Sequence, residues 1–222
     1  MKPIAALLLL VLLTACNVNS SVSLAEGQTH EGDLTTVNGS VSIGADSQLD
    51  GDGSTVNGSI RVGDRAVVND VASVNGSVTI GDDVQLRDAK AVNGSIVSGS
   101  RVSSSGIFET LNGRIEVGPD SVVEGGIGTA NGDILVRGAE VGRITTGNGD
   151  ITLEANSRVN GEILVERPRR FNEEEAQAIR VEIGANSTVV GPLRFEREVE
   201  LRIHQSATVG EIIGAEPVYF DE

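Results

Sequence analysis

The tetrapeptide Val37-Asn38-Gly39-Ser40 recurs along the chain at a nearly constant interval. Three close copies and three weaker ones follow it, and successive Asn residues are 17 to 19 positions apart. Regular spacing of this kind is typical of a repeat protein. We predict that the Asn residues form one stacked corner of each repeat. They are Asn38, Asn57, Asn75, Asn93, Asn112, Asn131 and Asn148.

A short alternating segment follows each Asn-Gly pair. Apolar residues occupy the third and fifth positions after the Asn, as in Val41 and Ile43 or Ile60 and Val62, with mostly polar residues between them. This period of two residues predicts a short strand with one buried face. Gly and Asp follow directly, as in Gly44-Ala45-Asp46, and predict a tight turn.

A second motif, Gly-x-apolar, marks another corner of the repeat. It precedes the Asn-Gly motif, as in Gly106-Ile107-Phe108, and in variant forms it defines ten positions. It continues after the Asn-Gly motif has stopped, through Gly161-Glu162-Ile163, Gly191-Pro192-Leu193 and Gly210-Glu211-Ile212. We therefore expect about ten coils of 17–19 residues, with one longer interval that contains an insertion.

Coils of this length are too short for a strand followed by a packed helix. The pattern instead predicts an all-β protein, a single-stranded parallel β-helix or β-solenoid, in which each strand pairs with its equivalent in the next coil. At about 4.8 Å per coil the rod would be roughly 45–50 Å long. We expect the corner glycines to adopt positive φ, and the stacked Asn amides to hydrogen-bond along the rod.

The pattern divides the chain into five segments. They are a signal peptide (1–15), a lipidated Cys with a polar tether (16–31), the β-solenoid (32–165), a surface insertion (166–180), and the last coils with a C-terminal cap (181–222).

The insertion begins where an Asn-Gly corner is expected. Asn172 and Glu175 have the spacing of a helix-capping box, which predicts a short helix. One interpretation is a surface segment that contacts a partner or braces the rod. The other, which we favour, is a loop that folds against the rod and buries Phe171 and Ile179.

The C-terminal segment is predicted to contain one longer alternating strand, from Leu193 to Ile203, with a bend at Arg197. Three of the five aromatic residues, Phe195, Tyr219 and Phe220, lie in this segment. Exposed strand edges at the end of a solenoid need protection, so we predict a cap here.

The N-terminus resembles a bacterial lipoprotein signal. Lys2 precedes an apolar run that is too short to span a bilayer, and the run ends in Leu13-Thr14-Ala15-Cys16, which resembles a lipobox. The resemblance implies recognition of Leu13, Thr14 and Ala15, cleavage before Cys16, and attachment of a diglyceride and a further acyl chain such as palmitate to that Cys. Asn17, which is not Asp, implies the outer membrane. The alternative is an ordinary secretory signal.

Composition excludes several classes of function. The formal net charge of −15 disfavours binding to nucleic acid or anionic lipid. The chain has no Trp and only 2 % aromatic residues, which disfavours large aromatic-lined pockets. Cys16 is the only cysteine, so an intramolecular disulfide is impossible.

Residues that would support catalysis or metal binding are sparse. His204 is the only His within the predicted solenoid, so a His-based triad or metal cluster cannot be built. The acidic turn residues could in principle line up as calcium ligands, but the calcium-binding nonapeptide pattern is absent and Asp is an ordinary turn residue. These turn residues are Asp46, Asp64, Asp82, Asp83 and Asp120. We predict no catalytic residues, no metal and no cofactor.

The corners Val123-Glu124-Gly125-Gly126-Ile127 and Val159-Asn160-Gly161-Glu162-Ile163, at 17–19 residue spacing, resemble those of bactofilins, the polymer-forming bacterial cytoskeletal proteins. The similarity extends over residues 32–214. It implies a right-handed β-helix that can assemble end to end. Bactofilins are mostly cytoplasmic or lie at the inner face of the membrane, whereas this chain has an export signal.

The sequence thus predicts a non-enzymatic outer-membrane lipoprotein with a rigid solenoid that acts as a structural or interaction module of the cell envelope. The expected partners are the membrane, through the anchor, an envelope protein or glycan, and a second copy stacked coil on coil. One alternative is a surface adhesin or glycan-binding module that uses Ser40, Ser59, Ser77 and Ser95. A less favoured alternative is a polysaccharide lyase or hydrolase.

Overall fold

A computed structural model of the chain describes residues 19–167 and 178–221. Every regular element in these two ranges is a β-strand. The strands form three parallel sheets that wind together as a β-solenoid of about ten coils, which confirms the predicted fold class. The lipobox-like residues Leu13, Thr14, Ala15 and Cys16 lie outside the described residues.

Each full coil contributes one strand to each of three sheets, named here sheets I, II and III. Sheet I contains β1 Val22–Leu24, β4 Val41–Ile43, β7 Ile60–Val62, β10 Val78–Ile80, β13 Ile96–Ser98, β16 Ile115–Val117, β19 Ile134–Val136, β22 Ile151–Leu153, β25 Ile179–Ile183, β28 Val199–His204 and β31 Pro217–Phe220. Sheet II contains β2 Thr29–Glu31, β5 Gln48–Asp50, β8 Val67–Val68, β11 Gln85–Leu86, β14 Ser103–Ser104, β17 Val122–Val123, β20 Glu140–Val141, β23 Arg158–Val159, β26 Thr188–Val189 and β29 Thr208–Val209. Sheet III contains β3 Leu34–Thr36, β6 Gly53–Asn57, β9 Asp70–Asn75, β12 Asp88–Asn93, β15 Ile107–Asn112, β18 Gly126–Asn131, β21 Ile144–Asn148, β24 Ile163–Val165, β27 Leu193–Phe195 and β30 Ile212–Ile213.

The register keeps equivalent residues in one column. Val41 pairs with Ile60, and Asn57 pairs with Asn75 one coil further on. Side chains alternate inward and outward along each strand, so each inward column stacks similar side chains on one another. The β-branched residues predicted to face inward are buried, among them Val41, Ile60, Val78, Ile96, Ile115, Ile134 and Ile151. The solenoid core is therefore a continuous stack of small apolar layers.

The first coil begins ten residues earlier than predicted. Residues 22–31, assigned to the polar tether, contain β1 and β2, and Val22 pairs with Val41. The tether prediction was therefore wrong for these residues. A corner glycine is needed where one coil packs on the coil before it. No described strand precedes β1, so the first coil does not have this requirement. Ser20 occupies the position that Gly39 takes in the next coil, and the first coil therefore lacks the motif.

The structure also changes the predicted C-terminal segments. Ile179 and Arg180, placed in the insertion, begin β25, and Ile179 is buried. Residues 168–177, which include Phe171 and the predicted short helix, lie outside the described residues. The single strand predicted from Leu193 to Ile203 is in fact two strands, β27 and β28. They belong to different sheets and are separated at Arg197.

The predicted C-terminal cap is partial. Strand β31 extends sheet I alone, while sheets II and III end at β29 and β30. Phe195 is buried, and the Phe220 ring packs edge-on against His204 at 5.3 Å between ring centroids. Tyr219 remains 58 % exposed because no described strand lies beyond β31.

Candidate functional site

The Asn column forms a hydrogen-bonded ladder along the first corner. The Nδ2 atom of Asn57 donates to Oδ1 of Asn38 at 2.8 Å, and the same bond repeats at each coil up to Asn148, where it measures 3.1 Å. All seven predicted Asn residues take part. Asn38 also donates to Asn19 at 2.9 Å, so the Asn ladder has eight members.

A buried row of hydroxyl groups supports this ladder from inside. Thr55 Oγ1 donates to the carbonyl oxygen of Gly39 at 2.7 Å, and Ser73 Oγ donates to that of Gly58 at 2.9 Å. Thr110 and Thr129 repeat the contact further along. These bonds satisfy buried polar groups that would otherwise destabilise the fold. The row was missed in the sequence, although a Thr or Ser lies two positions before most of the Asn residues.

The corner glycines are required for close approach. A Cβ atom on Gly58 would overlap the carbonyl oxygen of Gly39 in the preceding coil, and the same holds for Gly76 against Gly58. The predicted positive φ was wrong for Gly58 and Gly76 and is found at the last two Asn-Gly corners, at Gly132 (φ 150°) and Gly149 (φ 149°). Non-glycine residues adopt the left-handed conformation at the turn after sheet I, where Asp46 has φ 55° and Arg65 has φ 58°.

Arg197 closes the C-terminal end of the Asn ladder. Its guanidinium Nη1 donates to Oδ1 of Asn148 and, at 3.1 Å, to the carbonyl oxygen of Gly147. In the strand register, Arg197 stands in the Asn column two coils beyond Asn148. Burial lowers the pKa of Arg197. The sequence marked this residue only as a break in alternation.

Four of the five acidic turn residues, Asp46, Asp64, Asp82 and Asp83, form contacts between coils. Arg65 makes two hydrogen bonds to the Asp46 carboxylate, at 2.6 and 2.7 Å, and Arg101 does the same to Asp83. These hydrogen bonds hold the pKa of both aspartates below the usual range. Asp64 accepts the backbone N–H of Asp82 at 3.0 Å. Within the described ranges, no group of three or more His, Cys, Asp or Glu side chains is arranged to hold a metal ion.

The serines Ser40, Ser59, Ser77 and Ser95 form a row, and members of this serine row also bind the next coil. Ser77 Oγ accepts the backbone N–H of Ser95 at 3.2 Å, and Ser95 Oγ accepts that of Arg114 at 3.2 Å. His204 stands apart at the C-terminal end, where its Nδ1 atom accepts the backbone N–H of Ser206 at 3.1 Å. The Ser206 Oγ atom also lies 2.9 Å from His204 Nδ1.

Two depressions lie on the outer face of sheet III. The first, about 250 Å³ in volume, is lined by Asp33, Asp52 and Asp70 of one outward column, which Asp88 continues in the next coil. These carboxylates are used by the next coil or by a neighbour. Asp52 accepts the backbone N–H of Asp70 at 3.2 Å, and Asp88 pairs with Lys90 at 2.6 Å. Burial raises the pKa of Asp52.

The second depression, about 290 Å³ in volume, lies over β15, β18, β21 and β24. Gly128 lies near its centre, with Ile107, Ala130 and Leu164 among the apolar residues that line it. Glu109 is half-buried at its edge, and burial raises the pKa of this carboxyl group. We call this feature the Gly128 depression. No motif in the sequence pointed to it.

Comparison of the chain with protein-family models, with curated proteins and with solved structures gives no match in any of the three. Among the described residues, none belongs to a helix with the length and apolar character needed to cross a bilayer.

Proposed function

We propose that the chain is a lipid-anchored outer-membrane protein without enzymatic activity. Its β-solenoid acts as a rigid structural or interaction module of the bacterial cell envelope. The observation that supports this most strongly is the use of polar groups at the corners. The Asn, Thr and Ser columns and most acidic turn residues bind the adjacent coil, an arrangement that stiffens a rod.

The early start of the solenoid constrains the geometry of anchoring. Only five residues separate Cys16 from Val22, the first residue of β1. At a maximum of about 3.6 Å per residue, the linking chain spans roughly 20 Å or less. An anchor on Cys16 would hold the first coil close to the membrane and direct the far end up to about 50 Å outward.

The similarity of the corners to those of bactofilins supports a structural role. End-to-end assembly belongs to this proposal as a property implied by that resemblance. The exposed edges of β29, β30 and β31 are compatible with addition of a further coil.

The anchor is tested by replacing its attachment point. Cys16→Ser should move the protein from the membrane fraction to the soluble fraction and abolish incorporation of labelled palmitate. Asn17→Asp is the matched control, because it should keep the lipid and change only the membrane in which the protein resides. Continued membrane attachment of the Cys16→Ser protein would exclude the lipid anchor.

The interaction role is tested separately by cross-linking in intact cells followed by mass spectrometry. The proposal expects reproducible cross-links from the rod to envelope proteins or to a second copy. Turnover of uronate polymers by the purified chain would instead establish an enzyme and overturn the proposal.

A further inference from the structure

The Gly128 depression exists because one column of sheet III lacks a side chain at one coil. The outward positions equivalent to Gly128 carry Thr35, Ser54, Ala72, Lys90, Glu109, Thr145, Leu164, Arg194 and Ile213. A Cβ atom on Gly128 would meet nothing closer than the carbonyl oxygen of Thr145 at 3.5 Å, which is ordinary contact. The backbone therefore does not require glycine here, in contrast to Gly58, and the absent side chain leaves the depression open.

The charged residues around the depression are not used by the fold. Glu109, Arg143, Glu162 and Glu166 line it, and within the described residues none of their side chains forms a hydrogen bond or an ion pair. Elsewhere on the rod, arginines such as Arg65 bind a carboxylate of a neighbouring coil. Glu109 is coupled to Lys90 and Arg143 only through space, so these side chains keep their hydrogen-bonding groups available to a ligand.

The balance of charge and apolar surface indicates the chemistry of that ligand. Three carboxylates and one guanidinium surround the depression, and the chain as a whole has a net charge of −15. A cation is therefore attracted to this site. Burial raises the pKa of Glu109 although Lys90 and Arg143 act against it, so a further cation would offset the remaining cost of keeping this carboxylate charged. Leu164 and Ile107 provide contact for an aliphatic stem.

We propose that the Gly128 depression binds a lysine side chain of a partner protein. The aliphatic stem lies on Gly128, Ile107 and Leu164, and the ammonium group lies among the glutamates. Arg143, which is exposed at the edge, donates to backbone carbonyl groups of the same partner. This inference deepens the proposed interaction role and does not depend on the lipid anchor.

The test uses the full chain in detergent micelles and two probes, N-acetyl-lysine methylamide and its uncharged norleucine analogue. Amide chemical shifts in ¹H–¹⁵N spectra report both affinity and location. We expect saturable shifts centred on Gly128 and Thr145 with the lysine probe, and binding at least tenfold weaker for the norleucine analogue. Equal binding of the two probes, or shifts scattered over the acidic surface, would overturn the proposal.

Two variants make the test specific to this site. Gly128→Val fills the depression without a backbone clash and should abolish the shifts, whereas Ala72→Val, in the same column three coils away, should leave them unchanged. Glu109→Gln should weaken binding of the lysine probe several-fold and leave the norleucine analogue unaffected. Undiminished binding to Gly128→Val contradicts the proposal. These outcomes are independent of membrane fractionation, so failure of the lysine site and failure of the anchor are distinguishable.

Discussion

The coils before and after residue 150 share the same three sheets but differ at the first corner. Residues 19–150, the laddered region, have the Asn ladder, the hydroxyl row and glycines packed on the preceding coil. In the described part of the plain region, residues 151–167 and 178–221, none of the three continues at this first corner, although glycines at other corners, such as Gly191 and Gly210, still pack on the preceding coil. The sheets pass between the regions without interruption, since Ile151 pairs with Ile134 on one side and with Val181 on the other.

This difference separates what specifies the coil from what reinforces it. Strand pairing and the stacked apolar core are present in both regions, so they are sufficient for the solenoid. The three corner features end together, at Asn148, Gly149 and Thr146, whose buried hydroxyl has no hydrogen-bond partner among the described residues. They therefore behave as one unit, and Arg197 joins the last coil of that unit to the plain region.

The largest loss of stability is expected when a side chain is added to a corner glycine of the laddered region. Gly58→Ala places a methyl group against the carbonyl oxygen of Gly39 and must separate two coils. We expect a loss of about 3 kcal/mol in the free energy of unfolding, as for a severe overpacking change. Gly128→Ala is the matched control and should stay within about 0.5 kcal/mol of the natural protein. Urea denaturation followed by circular dichroism measures both, and equal stabilities would show that close approach does not fix the corner.

The second largest loss of stability is expected at Arg197, which joins the laddered region to the plain region. Arg197→Met keeps the aliphatic stem but removes the donors to Asn148 and Gly147, so we expect a loss of about 1.5–3 kcal/mol. Arg194→Met is the control, because Arg194 is exposed and has no side-chain hydrogen bond or ion pair among the described residues. Hydrogen exchange should quicken at β21 and β24 in Arg197→Met alone. If exchange quickens equally in both variants, the guanidinium does not join the two regions.

A smaller effect is expected inside the Asn ladder. Asn75→Ala removes two exposed amide hydrogen bonds, to Asn57 and from Asn93, and should cost about 1–2 kcal/mol. Asn19→Ala removes a single hydrogen bond, the one that Asn19 Oδ1 accepts from Asn38, and should cost about half as much. Thermal unfolding of the two variants compares these values. A cost at Asn19 equal to or above that at Asn75 would mean that the ladder is not additive along the rod.

The sequence predicted features that repeat and missed features that occur once. The alternation of apolar and polar residues placed Val41 and Ile60 in the core, and the regular spacing of the Asn residues placed them in one ladder. Both predictions succeeded because each coil repeats the same physical requirement. Arg197 and the Gly128 depression depend on residues 17 to 50 positions apart that meet only after the coils have stacked. No local pattern carries that information, so the candidate site was invisible in the sequence while the fold was not.

Most corner glycines were predicted correctly in position but for the wrong physical reason. Gly58 was expected to provide positive φ, but the structure uses it for contact between coils, which a single repeat cannot reveal. Asp46 and Arg65 adopt the left-handed conformation instead. The first coil was missed because its corner has Ser20 in place of glycine. No described coil precedes Ser20, so close approach does not require glycine there.

The smallest expected effect is a pH dependence of stability that arises in the laddered region and not at the equivalent turns of the plain region. Hydrogen bonds from Arg65 and Arg101 hold the pKa of Asp46 and Asp83 below 3.8, whereas the equivalent turn residues in the plain region are Asn156 and Asn186, which do not titrate. Because the folded pKa lies below the unfolded value, the stabilisation is fully present above about pH 4–5 and is lost as the pH falls through the folded pKa. The double variant Asp46→Asn, Asp83→Asn, which preserves tolerance of positive φ, should therefore be less stable than the natural protein at pH 7 and should approach it near pH 2–3. Urea midpoints measured across this range test the prediction, and a difference that stays constant with pH would show that these pairs do not contribute through charge.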